Sequence, residues 1–150
     1  MSEDEQVRVR RCLEGRLAEL GRLAGLSDRQ VPGFGFRDGA YPFIEVGGDG
    51  ELRYLAYERG RKILELVTRD PEELLYWAFR DSTFEAAGVW ARRHPREGEP
   101  FRVTLWRRQF SLLHVLRPAW ARRRREELVA SLRDPEHVRL VPALPPPPLE

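Results

Sequence analysis

A chain of 150 residues, 41% apolar and 33% charged, has the length and composition of a globular protein with a real core and a charged surface. Its formal charge of +2 argues against a protein built mainly to coat nucleic acid. The single cysteine, Cys12, excludes an internal disulfide and any cysteine-based zinc cluster within one chain.

The sequence pI of about 9.0 is an arginine effect, since Lys62 is the only lysine and arginine does not deprotonate near neutrality. No run approaches the roughly 20 apolar residues of a membrane helix. The acidic start, Ser2 to Glu5, is unlike a secretory leader, so the cytoplasm is the expected compartment.

In chain order, the first element is a helix from about Glu3 to Leu26, with Val9, Leu13, Leu17, Leu20, Leu23 and Ala24 at helical spacing. A Gly- and Pro-rich loop follows over 27–40. Its Gly33-Phe34-Gly35-Phe36 run lacks the strand-before, helix-after setting of a phosphate loop, so Phe34 and Phe36 are expected to plug into the body. Tyr41–Val46, Glu51–Glu58 and Arg61–Thr68 then read as three strands joined by Gly47-Gly48-Asp49-Gly50 and Arg59-Gly60, an antiparallel meander. Tyr54 and Tyr57 have opposite parity, which puts one tyrosine on each face.

Asp70, Pro71, Glu72 and Glu73 open a second helix, with Leu75, Phe79, Ala86 and Val89 in one stripe and Leu74, Ala78 and Trp90 beside it. Pro95, Gly98 and Pro100 break it. A third helix carries Phe101, Leu105, Trp106, Phe110, Leu112, Leu113 and Leu116, and the two are expected to form a hairpin. Pro118 opens a fourth helix to about Leu132, which Asp134-Pro135 ends. Its Arg122-Arg123-Arg124-Arg125 run covers a full turn and cannot face one groove, and Glu126 and Glu127 follow at ion-pair spacing, so a solvated face is expected. The sum is an α+β fold: an N-terminal helix, a three-stranded antiparallel meander, then three helices forming a layer on the sheet. One domain over 1–141 and a mobile proline-rich tail over 142–150 complete the expectation.

Nothing in the chain spells out catalysis or cofactor binding. His94, His114 and His137 stand apart with no ligand spacing between them, which gives no metal site. Ser82-Thr83 has no Gly-x-Ser-x-Gly context, and Glu72-Glu73 and Glu126-Glu127 read as helix-end or surface acids.

The run Glu73-Leu74-Leu75-Tyr76-Trp77-Ala78-Phe79, then Thr83-Phe84, Phe101-Arg102, Leu105-Trp106-Arg107-Arg108-Gln109 and Leu112-Leu113, resembles the immunity protein 63 family of bacterial polymorphic toxin systems. The resemblance covers about Val67 to Leu132. Where the family pattern has a Glu, an Arg, an Asp and a second Arg, this chain has Ala91, Pro95, Pro100 and Val103. Losing these together is what a mutually satisfied polar cluster predicts, since removing one partner of a buried pair is costly and removing all is nearly neutral.

The resemblance implies a non-catalytic protein that grips a cognate toxin domain. It also implies that Leu75, Tyr76, Trp77, Phe79, Trp90, Phe101 and Trp106 are structural core. Contact with the toxin is then expected on the wet face of the sheet and its turns, at Asp49, Glu51, Tyr54, Glu58 and Arg59, with Asp38 and Glu45 making that stretch acidic enough to suit a basic toxin. A nucleic-acid-binding or regulatory module using Arg107, Arg108 and Arg122–Arg125 is the alternative, disfavoured by the intervening glutamates. Self-association as a homodimer through the helical face is a third reading.

Overall fold

The computed structural model describes residues 2–144 and divides the chain into two compact units, residues 1–79 and 80–150. Among the described residues it is an α+β protein with five helices and a four-stranded mixed sheet.

In the first unit, helix α1 (Glu3–Leu23) starts at Ser2, whose hydroxyl accepts from the Glu5 backbone N–H at 3.2 Å. It ends three residues before the expected Leu26. Gly25 takes φ +72°, and the Leu26 N–H reaches back to the Gly21 carbonyl at 2.8 Å, a C-terminal stop that only a glycine makes cheaply. Leu13, Leu17 and Leu20 are its buried stripe. Gly21, a weak helix former, lies where a Cβ would come within 3.0 Å of the Val31 side chain, so the returning loop needs it small.

The sheet runs in the order β1 (Gly33–Phe34), β2 (Phe43–Val46), β3 (Leu52–Glu58), β4 (Arg61–Thr68). The three expected strands pair antiparallel in sequence, as read. The fourth, β1, corrects the meander: Gly33 and Phe34 pair in parallel with Phe43 and Ile44 inside the segment expected to be loop. Two residues of pairing leave no periodicity to detect. The β3–β4 turn places Arg59 and Gly60 both at positive φ, the hairpin turn that matches strand twist.

Register fixes the faces. Tyr54 lies between Ile44 and Leu66, and Leu55 between Phe43 and Glu65. Tyr54 is 0% exposed, with its ring centre 6.3 Å from that of Trp77. On the opposite face Tyr57 stacks on Phe43 at 5.9 Å, and Phe36 meets both rings edge-on. Phe36 remains 63% exposed, so it lies over this cluster rather than plugging into the body.

Helix α2 (Pro71–Arg93) begins where Asp70 accepts from the Glu72 N–H at 3.0 Å. Its first turns belong to the first unit, where Glu72 pairs with Arg16 of α1. Leu74 to Phe79 are buried without interruption. Val89, placed in the apolar stripe by spacing, is exposed instead.

The second unit holds the rest of α2, then α3 (Phe101–Leu116), α4 (Pro118–Ser131), α5 (Pro135–Leu140) and a 3₁₀ turn over Val141–Ala143. Asp134 does more than end α4: its carboxylate accepts from the Glu136 and His137 N–H groups and starts α5. Val141 and Leu144 are buried in one cluster with Ala87, Leu105, Trp106, Phe110 and Leu128. The expected mobile tail from Pro142 therefore begins too early: residues 142–144 are anchored, and the remainder of that tail lies outside the described residues.

Helices α2, α3 and α4 meet at Gln109, which is fully buried. Its amide donates to the Arg80 carbonyl at 2.9 Å and to Thr83 Oγ1 at 3.3 Å, and its oxygen accepts from Arg124 Nε at 3.5 Å. Replacing Gln109 by Leu leaves buried polar groups without this partner, so it should cost about 1–3 kcal/mol despite the apolar surroundings. Urea unfolding checks this, with the midpoint expected to fall at unchanged slope.

Candidate functional site

The five contact candidates do not form one surface. Asp49 and Glu51 lie at the β2–β3 turn, and Glu58 and Arg59 at the β3–β4 turn, at the opposite end of a strand about 20 Å long. Tyr54 is corrected outright: it is on the core face, and the tyrosine on the outer face is Tyr57. Alternation separates the two residues but cannot say which side is inside.

The acidity of this stretch is also largely answered by the fold. Glu51 faces Arg53 at 3.3 Å and Arg69 at 3.8 Å, and Arg69 donates to the Asp49 carbonyl at 2.8 Å. The Glu51 N–H donates to the Asp49 carboxylate and, with Arg69 and Arg53 nearby, holds it below its usual range. Asp38 accepts from the Gly60 N–H at 3.1 Å, tying the long loop to the hairpin turn. Glu65 is bonded to Lys62. These acids are turn and strand fittings first.

Of the residues expected in the core, Leu75, Tyr76, Trp77, Phe79 and Trp106 are buried, and Trp90 is half-buried. Phe101 is corrected: it is 46% exposed at the first position of α3. Ala91 and Val103, two of the four positions set apart by the resemblance, both belong to the apolar cluster of the second unit. Pro95 and Pro100 fall in the α2–α3 connection.

That connection carries the most concentrated chemistry of the second unit. Helix α3 has no side-chain cap and no acid in its first turn. Glu99 compensates, accepting from Thr104 Oγ1 at 2.7 Å and from Arg107 at 2.6 Å. Burial pushes the Glu99 carboxyl up, but these two hydrogen bonds and the guanidinium charge outweigh it and hold the group below the ordinary value.

On the same hairpin the Trp90 ring is stacked by His94 at 4.2 Å and an interplanar angle of 11°. The Arg108 guanidinium lies 4.7 Å from the ring centre. Burial lowers the Arg108 pKa, and the group stays protonated.

Of the α4 arginines expected on a solvated face, Arg122 is exposed and the other three are half-buried. Arg124 serves Gln109 and Glu127, Arg123 faces Glu127 at 3.6 Å, and Arg125 lies 5.5 Å over the Phe110 ring. Their stems pack as they pair. His137 meets the edge of Trp106 at 5.2 Å. Among the described residues no three His, Cys, Asp or Glu side chains converge as a metal site, and no helix is long and apolar enough to cross a membrane.

The family model described as immunity protein 63 matches residues 48–130, more than half of the chain. The match takes in β3 and β4 as well as the helices from which the resemblance was read. No curated protein and no solved structure matches the chain.

Glu99 gives the connection a pH signature. Its carboxyl is held down only in the folded chain, so its contribution is complete above about pH 4.5, its ordinary value, and is lost as pH falls through the lowered folded value. Glu99→Gln should therefore flatten the acid limb of the stability curve, read as thermal midpoint against pH from 7 to 3 on the order of one unit per step.

Proposed function

The chain belongs to the immunity protein 63 family, and we propose that it binds a cognate bacterial toxin domain and neutralises it without chemistry of its own. The observation that carries the reading is the family match, which runs from the β2–β3 turn through α4 and so spans both units.

Such a task asks for a rigid scaffold that presents side chains already in place, because ordering them during capture subtracts from affinity. The buried α2–α3–α4 junction at Gln109 and the capped, register-locked sheet supply rigidity of that kind. The nucleic-acid alternative leans on arginines that already have intramolecular work. Arg107 holds Glu99, Arg124 holds Gln109 and Glu127, and Arg125 covers Phe110. A phosphate contact from any of these would first have to break that work.

The reading is tested by co-expressing the toxin domain encoded beside this gene with and without the protein, then sizing the mixture in moderate salt. Growth restored together with a stoichiometric complex is the expected outcome. Growth arrest despite good expression, with both proteins eluting separately, would remove the assignment. The same column reads self-association from the elution of the protein alone.

A further inference from the structure

The near-neutral charge of the chain is a cancellation. Residues 2–79 carry twelve basic side chains against fifteen acidic ones, and residues 80–144 carry fourteen arginines against eight acids. Within the basic part the excess gathers around the α2–α3 connection. Arg92, Arg93, Arg96 and Arg102 are all exposed there, and Arg108 is half-exposed. Of the two acids in the same stretch, Glu99 is taken by Arg107 and Thr104, which leaves Glu97.

Apolar surface accompanies the charge. Trp90 keeps part of its ring in solvent while His94 and Arg108 hold it in one orientation. Phe101 and Val89 are exposed on the same two helices, and Phe101 and Arg108 lie seven positions apart on one face of α3. Fixed tryptophan and arginine side chains ringed by further charge are the composition of interface hot spots, where preorganisation spares the entropy of ordering.

We propose that this end of the α2–α3 hairpin, centred on Trp90, Phe101 and Arg108 and surrounded by Arg92, Arg93, Arg96 and Arg102, is where the chain docks an acidic face of its toxin. The proposal rests on the immunity reading and specifies its surface and the chemistry of its partner. Guanidinium groups meet carboxylates in two-point hydrogen bonds, and a one-signed cluster speeds encounter. Nucleic acid also suits arginine, but single strands bind by stacking bases on open aromatic faces. The His94 imidazole is already stacked on one face of the Trp90 ring, so that face is closed to a base. The outer face of the sheet, with Tyr57 and Ile63, is the competing protein-binding surface, but there Lys62 and Glu65 neutralise one another.

The test uses the full chain and the toxin domain encoded beside its gene, with binding kinetics measured at low and high salt. Arg92→Glu, Arg93→Glu, Arg96→Glu and Arg102→Glu combined change only exposed side chains. That variant should lower the association rate at low salt about tenfold or more and erase most of its salt dependence. Trp90→Ala should raise the dissociation rate at least about 30-fold. Phe101→Ser, at an exposed position, is the companion variant if Trp90→Ala melts early. Tyr57→Ser with Ile63→Ser should bind like wild type.

Hairpin variants that bind like wild type would overturn the proposal, all the more if the sheet variant fails. A wild-type chain that forms no complex and gives no protection would overturn the immunity reading itself, and the docking proposal with it. A short single-stranded RNA bound by wild type and lost in the arginine variant, with toxin binding untouched, would reassign the surface to nucleic acid and overturn the proposal too.

Discussion

A buried amide that must satisfy itself from three helices constrains the second unit more than any apolar contact does. Apolar packing tolerates a change of partner or a small rotation at modest cost. Gln109 does not, because its donors need the Arg80 carbonyl and Thr83 hydroxyl on α2 while its oxygen needs Arg124 on α4. Only one rotation of α3 about its axis meets both conditions. That rotation turns Val103, Phe110 and Leu113 inward and leaves Phe101 and Val115 outside. The exposed aromatic at the start of α3 is thus a consequence of where the buried glutamine must point.

The sheet is held by a different device. Leu52 to Leu55 of β3 have a lateral partner on each side, whereas β4 is an edge with one side of its backbone unpaired. Such an edge invites pairing with another chain. Here Ala56 faces Leu64 and Tyr57 faces Lys62, so Ile63 is an extra residue that disturbs the ladder, and Arg61, Lys62 and Glu65 place charge along it. These are edge-blunting features. They make strand addition at β4 unfavourable.

What could be read from sequence follows the range of the physics involved. Asp70-Pro71, Pro118 and the Arg59-Gly60 turn act within a few residues, so the elements they punctuate were legible almost to the residue. The helical order of Leu75, Tyr76 and Phe79 was legible for the same reason. Parity separates Tyr54 from Tyr57 but carries no sign, and only the fold shows that Tyr54 faces inward. β1 depends wholly on a partner ten residues away, and its two residues have no pattern of their own. Gly25 is a local stop signal, and the apolar Leu26 after it continues the helical spacing without belonging to the helix. Asp134 could be seen as an end but not as a beginning, since a cap and a terminator are the same residue type.

Folding also changes what the charges of the contact set mean. Acids close in sequence looked like a charged face, yet folding brings Arg53 and Arg69 to Glu51 and sends Asp38 to a turn N–H. Local charge in a sequence counts formal ions, whereas a partner feels only those left unanswered once the chain is folded. The same rule works in the opposite direction at the α2–α3 connection. There Ala91 and Val103 pack into the apolar cluster, and Glu99 is taken by Arg107 and Thr104. Arg92, Arg93, Arg96 and Arg102 are left facing water. A near-neutral sum over the chain thus conceals basic charge that folding leaves exposed around one connection.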